Sequence, residues 1–173
     1  MNLYAMENRA LANYSYYQEY LPWLPRANDE MNKATALDGK LLLQHFYKAA
    51  AHLKYPKIRI PTAVGVRVVV YLCGERSRNV GGLQIALDVD ADLRTTYLGA
   101  ITPAGVVQLK PAARDYQDLV NNLLLNPVDY LATVGKKTSC CCFCGKLLST
   151  AESLTAGYGP ICADHFGLPW GEC

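Results

Sequence analysis

A paired spacing near the C-terminus constrains this chain more than anything else in it. Cys141-x-x-Cys144 is followed by seventeen residues and then by Cys162-x-x-His165. Two residues between ligands let both side chains of a tight turn, or of a first helical turn, reach one ion. Gly145 follows the first pair directly, where a glycine can take the positive φ that turns a chain around a metal. Gly159-Pro160 sets a proline early in a short helix carrying Cys162 and His165. Thiolates at such a helix start also gain from its partial positive charge. The spacing therefore predicts one structural Zn2+ held by Cys141, Cys144, Cys162 and His165. Knuckle, hairpin, then helix is the order of a treble-clef zinc finger. Leu147, Leu148 and Leu154 supply a minimal core, so the module needs its metal to fold.

The first ligand has rivals. Cys140, Cys141 and Cys142 are consecutive; Cys140-x3-Cys144 is allowed, whereas Cys142-x-Cys144 is too tight for one knuckle. As fourth ligand His165 is preferred to Asp164, because imidazole suits zinc and completes the two-residue spacing. Four protein ligands would leave no coordination position for catalysis. The alternative is a set of buried free cysteines. Adjacent cysteines make poor disulfide partners, and the pattern suits zinc in a reducing cytoplasm better than a secreted scaffold. Spacing assigns no role to Cys73 or Cys173.

The rest of the 173-residue chain has room for one medium domain, and 51% hydrophobic residues suit a packed core. We expect an α+β protein: N-terminal helices over residues 1–54, a β-rich core with closing helices over 55–135, and the zinc module over 136–173. A first helix is expected from Asn2 to Tyr20, broken by Leu21-Pro-Trp-Leu-Pro25. A second should run from Asp38, as N-cap, to Leu53, with Leu42, Phe46, Ala49, Ala50 and Leu53 on one apolar face. Beyond Tyr55-Pro56, strands are expected at Lys57–Ile60, Val64–Tyr71, Leu83–Val89, Thr95–Ile101 and Gly105–Leu109, separated by glycine-rich turns. Strands this short predict a small antiparallel sheet or partial barrel. Asp115–Asn126 reads as a helix stopped by Pro127, and Val128–Val134 as another turn or two. Gly135-Lys-Lys-Thr-Ser139 reads as a hinge.

Net charge is only +2, so whole-chain charge does not point to nucleic acid. Its distribution does. Lys40, Lys48, Lys54, Lys57, Arg59, Arg67, Arg76 and Arg78 have one acid, Glu75, among them. Lys57 and Arg59 share a strand face, and Arg76 and Arg78 occupy the following loop, so these four are candidate phosphate contacts. A solvated basic face is the alternative. The tyrosines at 14, 16, 17 and 20, with Trp23, could stack bases or form an interface, or pack on their own core. His45 and His52 share a helix face, with no acid or cysteine nearby in sequence to suggest a second metal site. Asp88, Asp90 and Asp92 could hold a cation, but they lack the glycine and glutamate of a calcium loop. No phosphate loop or nucleophile elbow is present. The N-terminus lacks a basic region followed by an apolar run, and the apolar run Val64–Cys73 is short and contains Arg67, so neither signal peptide nor membrane span is expected.

Cys144-Gly-Lys-x-Leu, then Ser153, then Gly157-Tyr-Gly-Pro-x-Cys162 resembles a small zinc-binding domain family of unknown function, common in bacteriophage and actinobacterial proteins. Its pattern is C-x-x-C-G-(R or K)-x-L, a serine, then G-x-G-P-x-C. The resemblance covers residues 138–171, and the ending from His165 to Gly171 looks like phage members. It implies zinc, with Cys141, Cys144 and Cys162 as ligands, His165 through the phage-type ending, and a phage source. The expected function is a non-enzymatic zinc-containing binding protein in the host cytoplasm, contacting nucleic acid or a protein that handles it. The alternative is a phage inhibitor that binds a host enzyme or defence complex by protein–protein contact.

Overall fold

The computed structural model describes residues 37–63, 65–89 and 92–171. The helix expected at Asn2–Tyr20 and the tyrosine cluster with Trp23 lie outside them. The first described helix, α1 (Lys40–Ala50), buries Leu42, Leu43, Phe46, Ala49 and Ala50, an i, i+4, i+7 stripe facing one core. It starts one residue later than expected, with Gly39 at the N-cap. Asp38 instead accepts the Lys40 N–H through Oδ1 at 2.9 Å and bridges to Val106 through its backbone.

Five antiparallel strands follow in a meander of order β1-β2-β3-β4-β5: β1 (Lys57–Ala63), β2 (Val66–Leu72), β3 (Leu83–Val89), β4 (Asp92–Ile101) and β5 (Val107–Leu109). β1 and β5 are the edges, so the sheet is open and not a closed barrel. Alternation decides its faces. Ile58 and Ile60 pair with Val70 and Val68 and turn inward, and Leu83 and Ile85 continue that layer. Lys57, Arg59, Arg67 and Tyr71 stand on the opposite face. In β4 the alternation slips: Ile85 pairs with Gly99 but Ala86 with Tyr97. Leu98 is the extra residue of a bulge, which lets Leu98 and Ile101, three apart, both be fully buried.

A 3₁₀ turn (Pro111–Tyr116) leads into α2 (Gln117–Leu125), and Pro127 at the first position opens α3 (Pro127–Thr138). The hinge expected at 135–139 is a correction: α3 runs through Gly135, Lys136 and Lys137 and ends at Ser139, whose φ is 55°. Gly135 is there for contact. A Cβ on it would sit 1.9 Å from the Gly157 carbonyl oxygen, so two backbones touch at a point no side chain could share.

Beyond α3 the chain forms a hairpin closed by the Cys140–Leu147 bridge and by Leu148 N–H to Ser139 O at 2.8 Å. Then come α4 (Ala151–Ala156), N-capped by the Thr150 hydroxyl, and α5 (Pro160–Phe166). This part has no separate core. Phe46 of α1 meets the edge of Phe166 at 6.0 Å, and Phe143 packs on Phe166 at 4.6 Å. One buried cluster runs from Leu42 to Leu168, and the boundary expected at residue 136 falls inside α3. The Arg59 N–H also donates to the Cys142 carbonyl at 2.8 Å, so the cysteine hairpin docks on the otherwise open β1 edge. No helix among the described residues is long and apolar enough to cross a membrane.

Candidate metal centre

The hairpin turn carries Cys141, Phe143 and Cys144; α5 carries Cys162. Lys146 O accepts the Cys141 N–H at 2.9 Å, and Cys141 O accepts the Gly145 N–H at 2.8 Å. The second bond closes a tight turn that Gly145 completes at φ 74°, a left-handed conformation that costs other residues about 1–2 kcal/mol. Phe143 plugs the turn into the core against Phe166 and, edge-on, Tyr158. Tyr158 in turn donates through its hydroxyl to Pro169 O at 2.8 Å. Across the module, the Gly135–Gly157 contact seats the α4–α5 turn on α3. The ends of both cysteine-bearing segments are therefore fixed by the protein core.

The outcome is a group of three sulfurs. Sγ of Cys141, Cys144 and Cys162 lie within 4.8 Å of one another. In a tetrahedral site with Zn–S bonds near 2.3 Å, sulfurs stand about 3.8 Å apart, so no pair in the cluster is more than about 1 Å too wide to hold an ion. Cys141 and Cys162 are buried and Cys144 is exposed. The Cys162 thiol donates to the Cys141 sulfur and lowers its pKa below the usual thiol range. Burial opposes this, and backbone N–H groups of Cys144, Gly159 and Phe143 reinforce it. The pKa of Cys162 moves up, because it keeps the shared proton beside that negative sulfur. A sulfur wrapped in N–H donors, with two thiols in reach, has the chemistry of a metal-ligand position and fits a thiophilic divalent ion. The group could hold a metal ion.

Its neighbours in the triple do something else. Cys142 points away, into the core, with Sγ 3.7 Å from Leu131 O. Burial, then the nearby Cys141 and Cys140, push its pKa up to about 12, so it stays a thiol. Cys140 is half-buried and pairs through its backbone with Leu147. Cys73 is buried beneath the β2–β3 loop, beside the Asn79 amide at 3.9 Å.

Residues 132–167 match a family of unknown function (DUF6011). The matched segment begins in α3 and ends just past α5, so it holds the three clustered cysteines and His165. It also takes in Ala132 and Gly135 of α3, the residues that receive Gly157. No curated protein and no solved structure matches the chain.

The structure does not group the His165 imidazole with the three sulfurs. Its imidazole stacks on that of His52 at 4.8 Å, with 11° between the ring planes, and its donor atoms group with those of His52 and Asp164. On α5 residues three apart are neighbours on the helix surface, so it is the His165 rotamer, stacked on His52 at the end of α1, that turns its nitrogens from the sulfur group. Burial, and then the neighbouring His52, lower its pKa. Sequence reasoning missed this meeting because His52 and His165 are far apart in the chain. Only the packing of α1 on α5 joins them.

Of the basic candidates, Lys57 and Arg59 line one cleft, and Arg76 and Arg78 do not. Lys57 opens β1 opposite Tyr71, near the end of β2, and the loop carrying Arg76 and Arg78 leaves from there. That loop is held by Tyr47 Oη–H to Gly81 O at 2.7 Å and by Asn79 Nδ2–H to Leu83 O and Ile101 O. Lys57 and Arg59 line an open cleft of about 380 Å³ with Tyr55, Tyr71 and Asp88. Asp88 is engaged by Arg67 at 3.2 Å, while Lys57, Arg59, Arg76 and Arg78 form no ion pair among the described residues. Of the three aspartates at 88, 90 and 92, Asp90 lies outside the described residues.

Proposed function

We infer that the chain is a zinc-stabilised binding protein in which Cys141, Cys144 and Cys162 hold one structural ion in a treble-clef-like arrangement. The ion would neutralise three converging thiolates and tie the hairpin to α5. The shared hydrophobic cluster around these cysteines supports a structural role for it. His165 is not counted among these ligands, because its donor atoms group with those of His52 and Asp164 rather than with the three sulfurs.

The partner we favour is nucleic acid, gripped at the basic end of the sheet. The observation carrying this is Lys57 and Arg59 in an open cleft beside Tyr55 and Tyr71, with no acidic partner among the described residues. Cations there would meet phosphates, and the tyrosines offer faces for bases. Mobility shifts with single- and double-stranded nucleic acid across a salt series test it. Four phosphate contacts give a log–log slope of about −3 to −4. No shift with any nucleic acid at low salt sinks the reading.

A second reading, an inhibitor acting by protein–protein contact, draws on the exposed apolar side chains of the metal module. Leu147 is 71% exposed and Ile161 68%. Recovery of one stoichiometric protein from a nuclease-treated lysate would favour it.

A further inference from the structure

We propose that His52, Asp164 and His165 form a second metal site, separate from the cysteine centre and suited to a divalent transition ion. Their donor atoms all lie within 4.8 Å of one another. They come from two elements that the core holds in fixed relation. His52 sits in the turn that closes α1, its N–H bonded to Ala49 O at 3.0 Å. Asp164 and His165 are on α5. Between the elements, Phe46 meets Phe166 edge-on, and His45 Nδ1–H donates to Phe166 O at 2.8 Å. The two imidazoles are therefore positioned by contacts other than their own.

Donor chemistry distinguishes this site from the sulfur group. Two imidazoles and a carboxylate suit zinc, cobalt, nickel or copper(II), and suit calcium and magnesium poorly. Imidazole nitrogens bound to one tetrahedral ion at 2.0–2.1 Å stand about 3.3 Å apart. The stacked rings must tilt so that their in-plane lone pairs converge. His52 is exposed and His165 half-exposed, so turning about χ2 meets little resistance. Three protein donors leave a position for water or an oxygen of a bound molecule. A filled site would also pin the end of α1 to α5.

The test is Co2+ titration of the full chain, read by absorption and by bound-metal analysis. One equivalent should bring sulfur-to-cobalt charge-transfer absorption from the cysteines. A further equivalent should add visible bands without increasing that absorption. His52→Ala, and separately Asp164→Asn, should weaken the further equivalent about tenfold or more and leave the sulfur signature intact. His52→Gln repeats the test with a side chain closer in size. Uptake that stops at the sulfur site in the wild type would overturn the proposal, as would variants that keep wild-type affinity. So would His165→Ala removing the sulfur signature, since that would return His165 to the cysteine-bound ion. In protein whose cysteine site is already filled, loss of the further equivalent in His52→Ala with the sulfur signature intact separates this proposal from the zinc reading.

Discussion

Within the run Cys140-Cys141-Cys142, three identical side chains have three different surroundings. Cys141 faces N–H groups and two other thiols, Cys142 faces the Leu131 carbonyl and the core, and Cys140 spends its backbone on the Leu147 bridge. The turn geometry therefore selects the middle residue. Cys140→Ser and Cys142→Ser should retain metal, and Cys141→Ser should lose it or bind far more weakly, as read by zinc content after dialysis. Cys142→Ser should still destabilise the fold by about 1–3 kcal/mol, because it puts a hydroxyl where a weakly polar thiol was buried. A chemical melt of the zinc-loaded protein checks this. Release of metal by Cys140→Ser but not by Cys141→Ser would mean that the knuckle uses the other frame. The spacing of the grouped cysteines in the turn was visible in sequence because a turn is local. Which way His165 faces was not, since that depends on where α1 ends.

Elements were legible where the cause was local. The β-branched run Val64–Tyr71 and the glycines Gly81-Gly82 marked a strand and its connection, and Pro127 marked the break between α2 and α3. Gly135 misled because glycine in a polar stretch usually signals freedom. Here it signals contact, and the contacting residue is Gly157, which no local rule connects to it. The two explanations predict opposite signs for one substitution. In an ordinary helix interior Gly→Ala stabilises by roughly 0.5–1 kcal/mol. Gly135→Ala should instead destabilise by more than that, because its methyl would collide with the backbone of Gly157. Thermal unfolding of the variant decides it. A raised melting temperature would restore the hinge. The bulge at Leu98 was similarly hidden: sequence shows an apolar stretch, and only pairing shows which residue is extra.

At the scale of the molecule, the cysteine hairpin and the basic cleft are neighbours because Arg59 serves both. Its backbone N–H holds the Cys142 carbonyl, and its side chain lines the cleft. The module expected over residues 136–173 shares one buried cluster with the β core, because Phe143, Phe166 and Leu168 finish the core that α1 and the sheet begin. Composition could not show this, since a cysteine-rich tail reads the same whether docked or free. Arg59→Gln keeps the backbone bond and removes only the charge. It should leave stability and zinc content unchanged and reduce the salt slope of nucleic-acid binding by about one unit. An unchanged slope would exclude Arg59 from the contact.

The central claim is that Cys141, Cys144 and Cys162 together hold an ion on which the hairpin and α5 depend. Binding at such a site is worth on the order of 10 kcal/mol, enough to decide whether this region folds. The most direct measurement compares the wild type with Cys144→Ser by native mass spectrometry and limited proteolysis. Cys144 is exposed, so its replacement disturbs packing least among the three. The wild type should carry zinc and resist cleavage between residues 139 and 167. Cys144→Ser, and the wild type stripped by a chelator, should be cut there, and zinc should restore protection to the stripped wild type alone. Wild-type protein that carries no zinc, or stripped protein that stays as resistant as the loaded form, would contradict the account.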